Sequence, residues 1–399
     1  MRSVIIQVTG LADTASPELG GKTPLEVAVT PVLDELASRG ILGLMRTIPE
    51  AVMATVSAAT AGILGLDPAT EIPAPGPVAA AGSDVEIPAG ARAACLDLVA
   101  VAEREGGGPA VVETRFPDLS IDEGMALARA LDEAVAPMGA RVHAASATTH
   151  VVVFAGGEAL ALDGPPDLAL GRALAEVLPG DGGALRTFMS RARAALWEHP
   201  ACVRLRGQGV AAPTDVWSWG AGLAGAVPAF IDHFGVRGAA LVTAPLPRGV
   251  ARLCGLAVEP ALAGGAAPPL AERAERALAL AAEYEFVLLH VETVDQTGPR
   301  GNAPARAEAI SRVDAEVLAP LVAGLRSVGG DWRLAVVADV TSSSAARRYT
   351  ADPVPFVVAS PRDAGRASAP RRRFTERDAR EQGIFLGDAH TLLERLLRR

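Results

Sequence analysis

Short apolar runs bounded by charges or turn residues punctuate this chain, at Val4–Val8, Val151–Phe154, Ala239–Val242, Phe286–His290, Leu334–Val337 and Phe356–Ala359. Runs this short and this uniformly apolar suit strands buried on both faces of a parallel sheet. Between them lie longer stretches with apolar positions at helical spacing, over Pro31–Ser38, Ile121–Val135, Leu168–Val177, Leu270–Tyr284 and Ala305–Leu325. In the last, Ala309, Val313, Val317 and Leu321 recur every fourth residue and turn one face inward, and Pro320 is placed to kink the helix near its end. Strand alternating with helix predicts an α/β fold, a sheet sandwiched by helices. Gly- and Pro-rich connections fall at Ile72–Gly82, Gly106–Pro109, Gly156–Pro166 and Ala263–Pro269; the first and third read as loops around a ligand or, the favoured reading, as surface connectors.

Composition narrows the class. A chain of 399 residues is long enough for two or three domains, and with 50% hydrophobic and 21% charged residues it is a folded globular protein. The net charge of −9 argues against nucleic acid as a partner, since backbone binding needs a basic surface to displace counterions. The longest uncharged stretches, Ala51–Leu66 and Trp217–Ile231, are rich in small and hydroxyl residues and too short to span a membrane. The apolar run after Met1-Arg2-Ser3 is too short for a signal-peptide core, so the expected location is the cytoplasm. Cys95, Cys202 and Cys254 are far apart and form no C-x-x-C pair, which predicts buried reduced thiols rather than disulfides or a zinc site.

The order of local motifs points further. Gly10-Leu-Ala-Asp13 is followed by Pro17-Glu-Leu-Gly-Gly-Lys-Thr-Pro-Leu-Glu26, then Ile63-Leu-Gly-Leu-Asp-Pro68, Trp219-Gly220-x-Gly222 and Phe234-Gly-Val-Arg-Gly238. Glu283-Tyr-Glu-Phe-Val-Leu-Leu-His-Val-Glu292, Ala338-Asp339 and Asp352-Pro-Val-Pro355 complete the series. These motifs, in this order, resemble the archaeal-type cofactor-independent phosphoglycerate mutases of the alkaline phosphatase superfamily. The resemblance implies an alkaline-phosphatase-like core from 1–88 and 238–399, and a smaller inserted α/β cap domain from 89–237. It also implies a reaction that interconverts 2- and 3-phosphoglycerate through a phosphoserine, aided by two divalent metal ions.

That chemistry needs a serine alkoxide, and carboxylates and imidazoles gathered around the cations. Where the family places its first aspartate ligand this chain has Thr9, and Asp13 is the next carboxylate. Counting back from Asp67-Pro68, Val56 stands at the nucleophile position, and Ser57 reaches it only with a one-residue gap; otherwise Ser57 is an ordinary helix-start hydroxyl. Asp295 and Asp339 stand at metal-ligand positions, whereas the histidines are replaced by Pro299, Val340 and Tyr349. On the substrate side, His150 falls within the cap's signature, and Arg306 stands where the family has a lysine.

The remnant set is therefore Asp295 and Asp339 for metal, with Asp13 weaker, Ser57 as candidate nucleophile, and His150 and Arg306 for substrate. Two carboxylates hold at most a single, weakly bound Mg2+ or Mn2+, so no cofactor is expected. The sequence thus predicts a mutase scaffold acting by binding a small phosphorylated ligand or a protein partner. The alternative is an active mutase or phosphatase-like enzyme with rearranged ligands.

Overall fold

The structure, a computed structural model, describes residues 2–104, 107–156, 159–180, 183–260, 267–295, 301–365 and 372–397. Eight strands form the larger sheet, in the spatial order Phe385–Leu386, Ile41–Met45, Val354–Ala359, Trp332–Ala338, Arg2–Val8, Phe286–Val291, Gly238–Leu241 and Ala257–Val258. Arg2–Val8 sits in the middle and pairs in parallel with Phe286–Val291 on one side and Trp332–Ala338 on the other. Its Val4, Ile5 and Ile6 have no exposed surface, which is why the run carries no polar alternation.

Val354–Ala359 runs antiparallel to both neighbours, a departure from the parallel sheet that its apolar run suggests. The chain returns from Trp332–Ala338 through a two-stranded ribbon, Thr341–Ser343 with Arg348–Thr350. So short a connection has no crossover helix, and without one the next strand can only lie antiparallel.

The second sheet is antiparallel and built around the 13-residue strand Arg92–Arg104, which pairs with Gly108–Glu113, Thr149–Phe154 and Asp215–Gly222. Ala140–Ala144 extends it beyond Thr149–Phe154. The run Val151–Phe154 therefore belongs to an antiparallel sheet. Helices Ile121–Val135 and Gly183–Glu198 pack on this unit. Each sheet has its own buried apolar cluster. Helix Pro75–Gly82 serves both, with Val78 in the larger cluster and Ala79 and Ala80 in the smaller. It lies against helix Pro245–Leu253 so closely that a Cβ on Gly249 would fall 1.8 Å from the Val78 carbonyl oxygen.

Two helices differ from their sequence pattern. Leu168–Val177 resolves into a 3-10 turn, Pro166–Ala169, and one α-turn, Leu174–Val177, broken at Gly171 with φ of 77°. Ala305–Leu325 becomes Ala303–Val313 and Ala319–Val328 joined by a wide π-turn at Asp314–Leu318. The irregularity falls just before Pro320, which has no N–H to give the preceding turn. The buried Asp314 carboxylate there accepts from the Val32 and Leu33 N–H groups at 3.1 and 2.8 Å, closing the start of helix Pro31–Arg39. No described helix is long and apolar enough to cross a membrane.

Candidate functional site

Open α/β sheets offer ligands a crevice beyond the carboxyl ends of their parallel strands. Here Thr9 follows Val8, Thr243 follows strand Gly238–Leu241, Glu292 follows Val291 and Asp339 follows Ala338, all at that edge. A cleft of about 490 Å3 opens there, between the larger sheet and the antiparallel unit. Thr9, Thr55, Val56, Thr243, His290, Glu292, Asp295 and Tyr349 line it from one side, and Asp97, Arg115, Thr149 and Trp219 from the other.

Asp339 has no exposed surface. Its Oδ2 accepts from Gln7 Nε2 at 3.0 Å and from the Thr9 hydroxyl, and its Oδ1 accepts from the Val340 N–H at 2.7 Å. Thr9 also contacts His290, with 2.9 Å between Oγ1 and Nε2. The Glu292 carboxylate lies 3.7 Å from His290 Nδ1, accepts from the Thr243 hydroxyl at 3.0 Å and pairs with Arg273 at 3.3 Å. Burial pushes the Glu292 carboxyl up, but Arg273 and then His290 outweigh burial and leave it below the ordinary carboxylate range.

A second cluster surrounds Asp13 and Asp295, which are 5% and 6% exposed. Arg306, at 4%, lies between them, with Nη1 2.5 Å from Asp13 Oδ2 and Nη2 3.6 Å from Asp295 Oδ1. Asp13 also accepts from the Ser344 N–H at 2.7 Å and from the Ser344 hydroxyl. Asp295 accepts from Ser342 Oγ at 2.6 Å, from the Tyr349 hydroxyl at 2.5 Å and from the Arg115 guanidinium, which also binds the Asp295 carbonyl oxygen. Burial works against the Arg115 charge, but Asp295, with Tyr349 and Asp167, more than compensates and holds its pKa above the usual range. Gly10 makes the approach possible. It has φ of 89°, and a Cβ there would meet the Asp295 backbone at 2.9 Å.

The structure thus brings Asp13, Asp295, Asp339 and Arg306 together at one end of the sheet. Of the predicted residues only Asp295 lines the cleft; Asp13, Asp339 and Arg306 lie beside it, and Ser57 and His150 are outside the lining as well. Ser57 is buried in the first turn of helix Val56–Ile63, with its hydroxyl 3.1 Å from that of Thr55, the helix N-cap. His150 is fully buried in strand Thr149–Phe154, opposite Leu96. Pro299 lies outside the described residues. Several functional side chains carry no motif of their own: Thr9, Arg115, Thr243, Arg273, Ser342 and Ser344. His290 and Glu292 do leave a signal, alternate polar positions closing an apolar strand.

A model of the metalloenzyme superfamily matches residues 1–395. A probable 2,3-bisphosphoglycerate-independent phosphoglycerate mutase of Geobacter sulfurreducens is 30% identical over 407 aligned residues, covering all of both chains. The 2,3-bisphosphoglycerate-independent phosphoglycerate mutase of Methanopyrus kandleri is 32% identical, covering 89% of this chain and 86% of its own. The chain belongs to this phosphoglycerate mutase family of the metalloenzyme superfamily. Its fold is that of a solved Pyrococcus horikoshii protein, with a TM-score of 0.69 at 23% identity over 99% of this chain and 96% of that one. The cofactor-independent phosphoglycerate mutase of Thermoplasma acidophilum superposes at 0.54 with 23% identity, over 100% and 99% of the two chains.

The family resemblance implies a pair of divalent metal ions at this edge of the sheet. Divalent cations of this kind need carboxylate oxygens and imidazole nitrogens free to converge on them. Among the described residues, no three His, Cys, Asp or Glu side chains gather in that way. Asp13, Asp295 and Asp339 instead spend their oxygens on arginine, hydroxyl and amide donors. Val340 is packed against Ile48, Ala58 and Ala59, and the Tyr349 hydroxyl donates to Asp295. Among the described residues this donor set does not fit a pair of metal ions.

Proposed function

We propose that the protein is a cytoplasmic binding member of the mutase family, whose cleft takes up a small ligand without metal-dependent phosphoryl transfer. In this reading 1–88 and 238–399 act as the core, and 89–237 as the cap. The observation that carries it is the Arg306 guanidinium lying between Asp13 and Asp295, in a shell of internal hydrogen bonds. The nucleophile position supports it as well. Val56 lines the cleft with an apolar side chain, and Ser57 lies buried beside it, outside the lining. A serine phosphorylated in catalysis needs an exposed oxygen and cations to lower its pKa.

A second reading rests on one contact, the 2.9 Å between Thr9 Oγ1 and His290 Nε2, with Glu292 behind the imidazole. Hydroxyl, imidazole and carboxylate lie in the order used to activate nucleophiles, which suits ester hydrolysis rather than mutase chemistry, but the Thr9 proton is given to Asp339 here and would have to turn to His290 first.

One assay separates these readings. The protein is incubated with 3-phosphoglycerate, and separately with an aryl phosphate and an aryl acetate, in Mn2+ and in EDTA. The binding reading predicts no turnover above the buffer in any of them. Mutase turnover lost in Ser57→Ala would overturn it in favour of an active enzyme with rearranged ligands. Ester hydrolysis lost in Thr9→Val would favour the second reading.

A further inference from the structure

His290 brings to the cleft an acceptor that no described residue uses. The Thr9 hydroxyl donates to Asp339, so its oxygen is left to accept, and the donor 2.9 Å away is His290 Nε2. With the proton of a neutral imidazole on Nε2, Nδ1 carries a bare lone pair. His290 is 2% exposed, and its Nδ1 has no hydrogen-bond partner among the described residues. The nearest charged atom is a Glu292 carboxylate oxygen 3.7 Å away, itself an acceptor. Two acceptors this close can share one donor, a nitrogen about 2.9 Å from each. Both side chains line the cleft, which makes that donor part of a ligand.

The charge around this pair is negative. Asp97, Asp167, Glu292 and Asp295 line the cleft, against one guanidinium among the described lining residues, Arg115. Asp13, Asp339, Arg273 and Arg306 stand just behind, so six carboxylates face three guanidiniums and the cleft favours a cation. A phosphate or carboxylate would find little to hold it, because Arg115 commits both terminal nitrogens to Asp295 and keeps only its Nε–H. Further along, the wall is apolar, with Phe116, Leu119, Ile121 and Leu246, and with Trp219, whose Nε1 is turned to Asp97 at 2.7 Å.

The geometry points to a ligand with a primary ammonium group on an apolar or aromatic body. The ammonium is shared between His290 Nδ1 and the Glu292 carboxylate, and the body lies along Phe116 and Leu246. An ammonium has three donors, enough for both acceptors, and its charge answers the carboxylates as a hydroxyl could not. The inference rests on the binding reading and deepens it, because it names the chemistry of the ligand and sets a phosphorylated one aside.

The test is calorimetric titration of the full chain at pH 7.5 with 2-phenylethylamine, its neutral analogue 2-phenylethanol, the anion 3-phenylpropanoate, and 3-phosphoglycerate. Wild type is expected to bind the amine about tenfold or more tighter than the alcohol, the worth of a hydrogen bond to a charged group, and neither anion detectably. In Glu292→Gln the preference for amine over alcohol should vanish. If that variant fails to fold with Arg273 left unpaired, the wild-type ratio of amine to alcohol decides alone. Equal affinity for the two, no binding of the amine, or a preference that survives in folded Glu292→Gln overturns the inference. An anion bound more tightly than the amine also overturns it and leaves the binding reading standing. Turnover in the mutase and ester assays removes the binding reading itself, whatever the probes do.

Discussion

Replacing Asp13 by alanine is expected to destabilise the protein by about 3–5 kcal/mol, because it leaves the Arg306 charge buried and half-compensated. Arg306 is almost entirely enclosed, so water cannot take over from the lost carboxylate. The Ser344 N–H and hydroxyl lose their acceptor in the same change. A companion experiment separates the charge from the packing. Combining Asp13→Ala with Arg306→Met removes the pair together, and the loss should then shrink to a fraction of the single-variant value, since buried ion pairs exchanged for apolar groups are often close to neutral. Urea denaturation of the two variants and wild type provides the comparison. Equal losses in the single and double variants would mean that Asp13 acts through backbone turn geometry rather than through Arg306.

The second large effect concerns His150. Neither ring nitrogen has a hydrogen-bond partner among the described residues, and burial lowers the pKa to about 4 from an ordinary 6.5. Above pH 6.5 both folded and unfolded chains carry a neutral imidazole, and the proton contributes nothing. Below it the unfolded chain takes up a proton that the folded chain refuses, so stability falls as the pH drops from 6.5 towards 4. The loss reaches about 2 kcal/mol at pH 5 and roughly 3 kcal/mol once pH 4 is passed. In His150→Leu this component should vanish. The variant should equal or exceed wild type at pH 7.5, since two unsatisfied nitrogens go with the ring, and its advantage should widen by about 2 kcal/mol at pH 5. Identical differences at the two pH values would show that the imidazole is hydrated or protonated in the folded state.

Much of the larger sheet is legible in the sequence because its strands are covered on both faces. Val4–Val8, Phe286–His290 and Leu334–Val337 are apolar but for Gln7 and His290, and each lies within a strand of the structure. The antiparallel unit is less legible. Arg92–Arg104 contains four alanines and two leucines with charges at both ends, a composition as suited to a helix; pairing with three other strands decides the matter. The position of Gly171 breaks a helix that the apolar spacing alone would continue.

At the site, spacing against the family motifs singles out Asp13, Asp295, Asp339 and Arg306 as candidates, but leaves their partners unseen. Arg306 is 293 residues from Asp13, and Arg115 is 180 residues from Asp295. Contacts this distant leave no local pattern. A substitution such as Thr9 for aspartate reads in sequence as the loss of a ligand. In the structure the same hydroxyl links Asp339 to His290. On the binding reading, the replaced ligand positions and the internal donors are two sides of one change, and only the donors require three dimensions to see.

The most direct test of a metal-free cleft is the metal content of the wild-type chain, purified in the presence of Mn2+ and Mg2+ and then dialysed against metal-free buffer. Elemental analysis should find far less than one ion per chain, with the fold and thermal midpoint unchanged by EDTA. One or two tightly held ions per chain, with a midpoint that drops on chelation, would contradict the account and return the protein to the metal-dependent enzymes of its family.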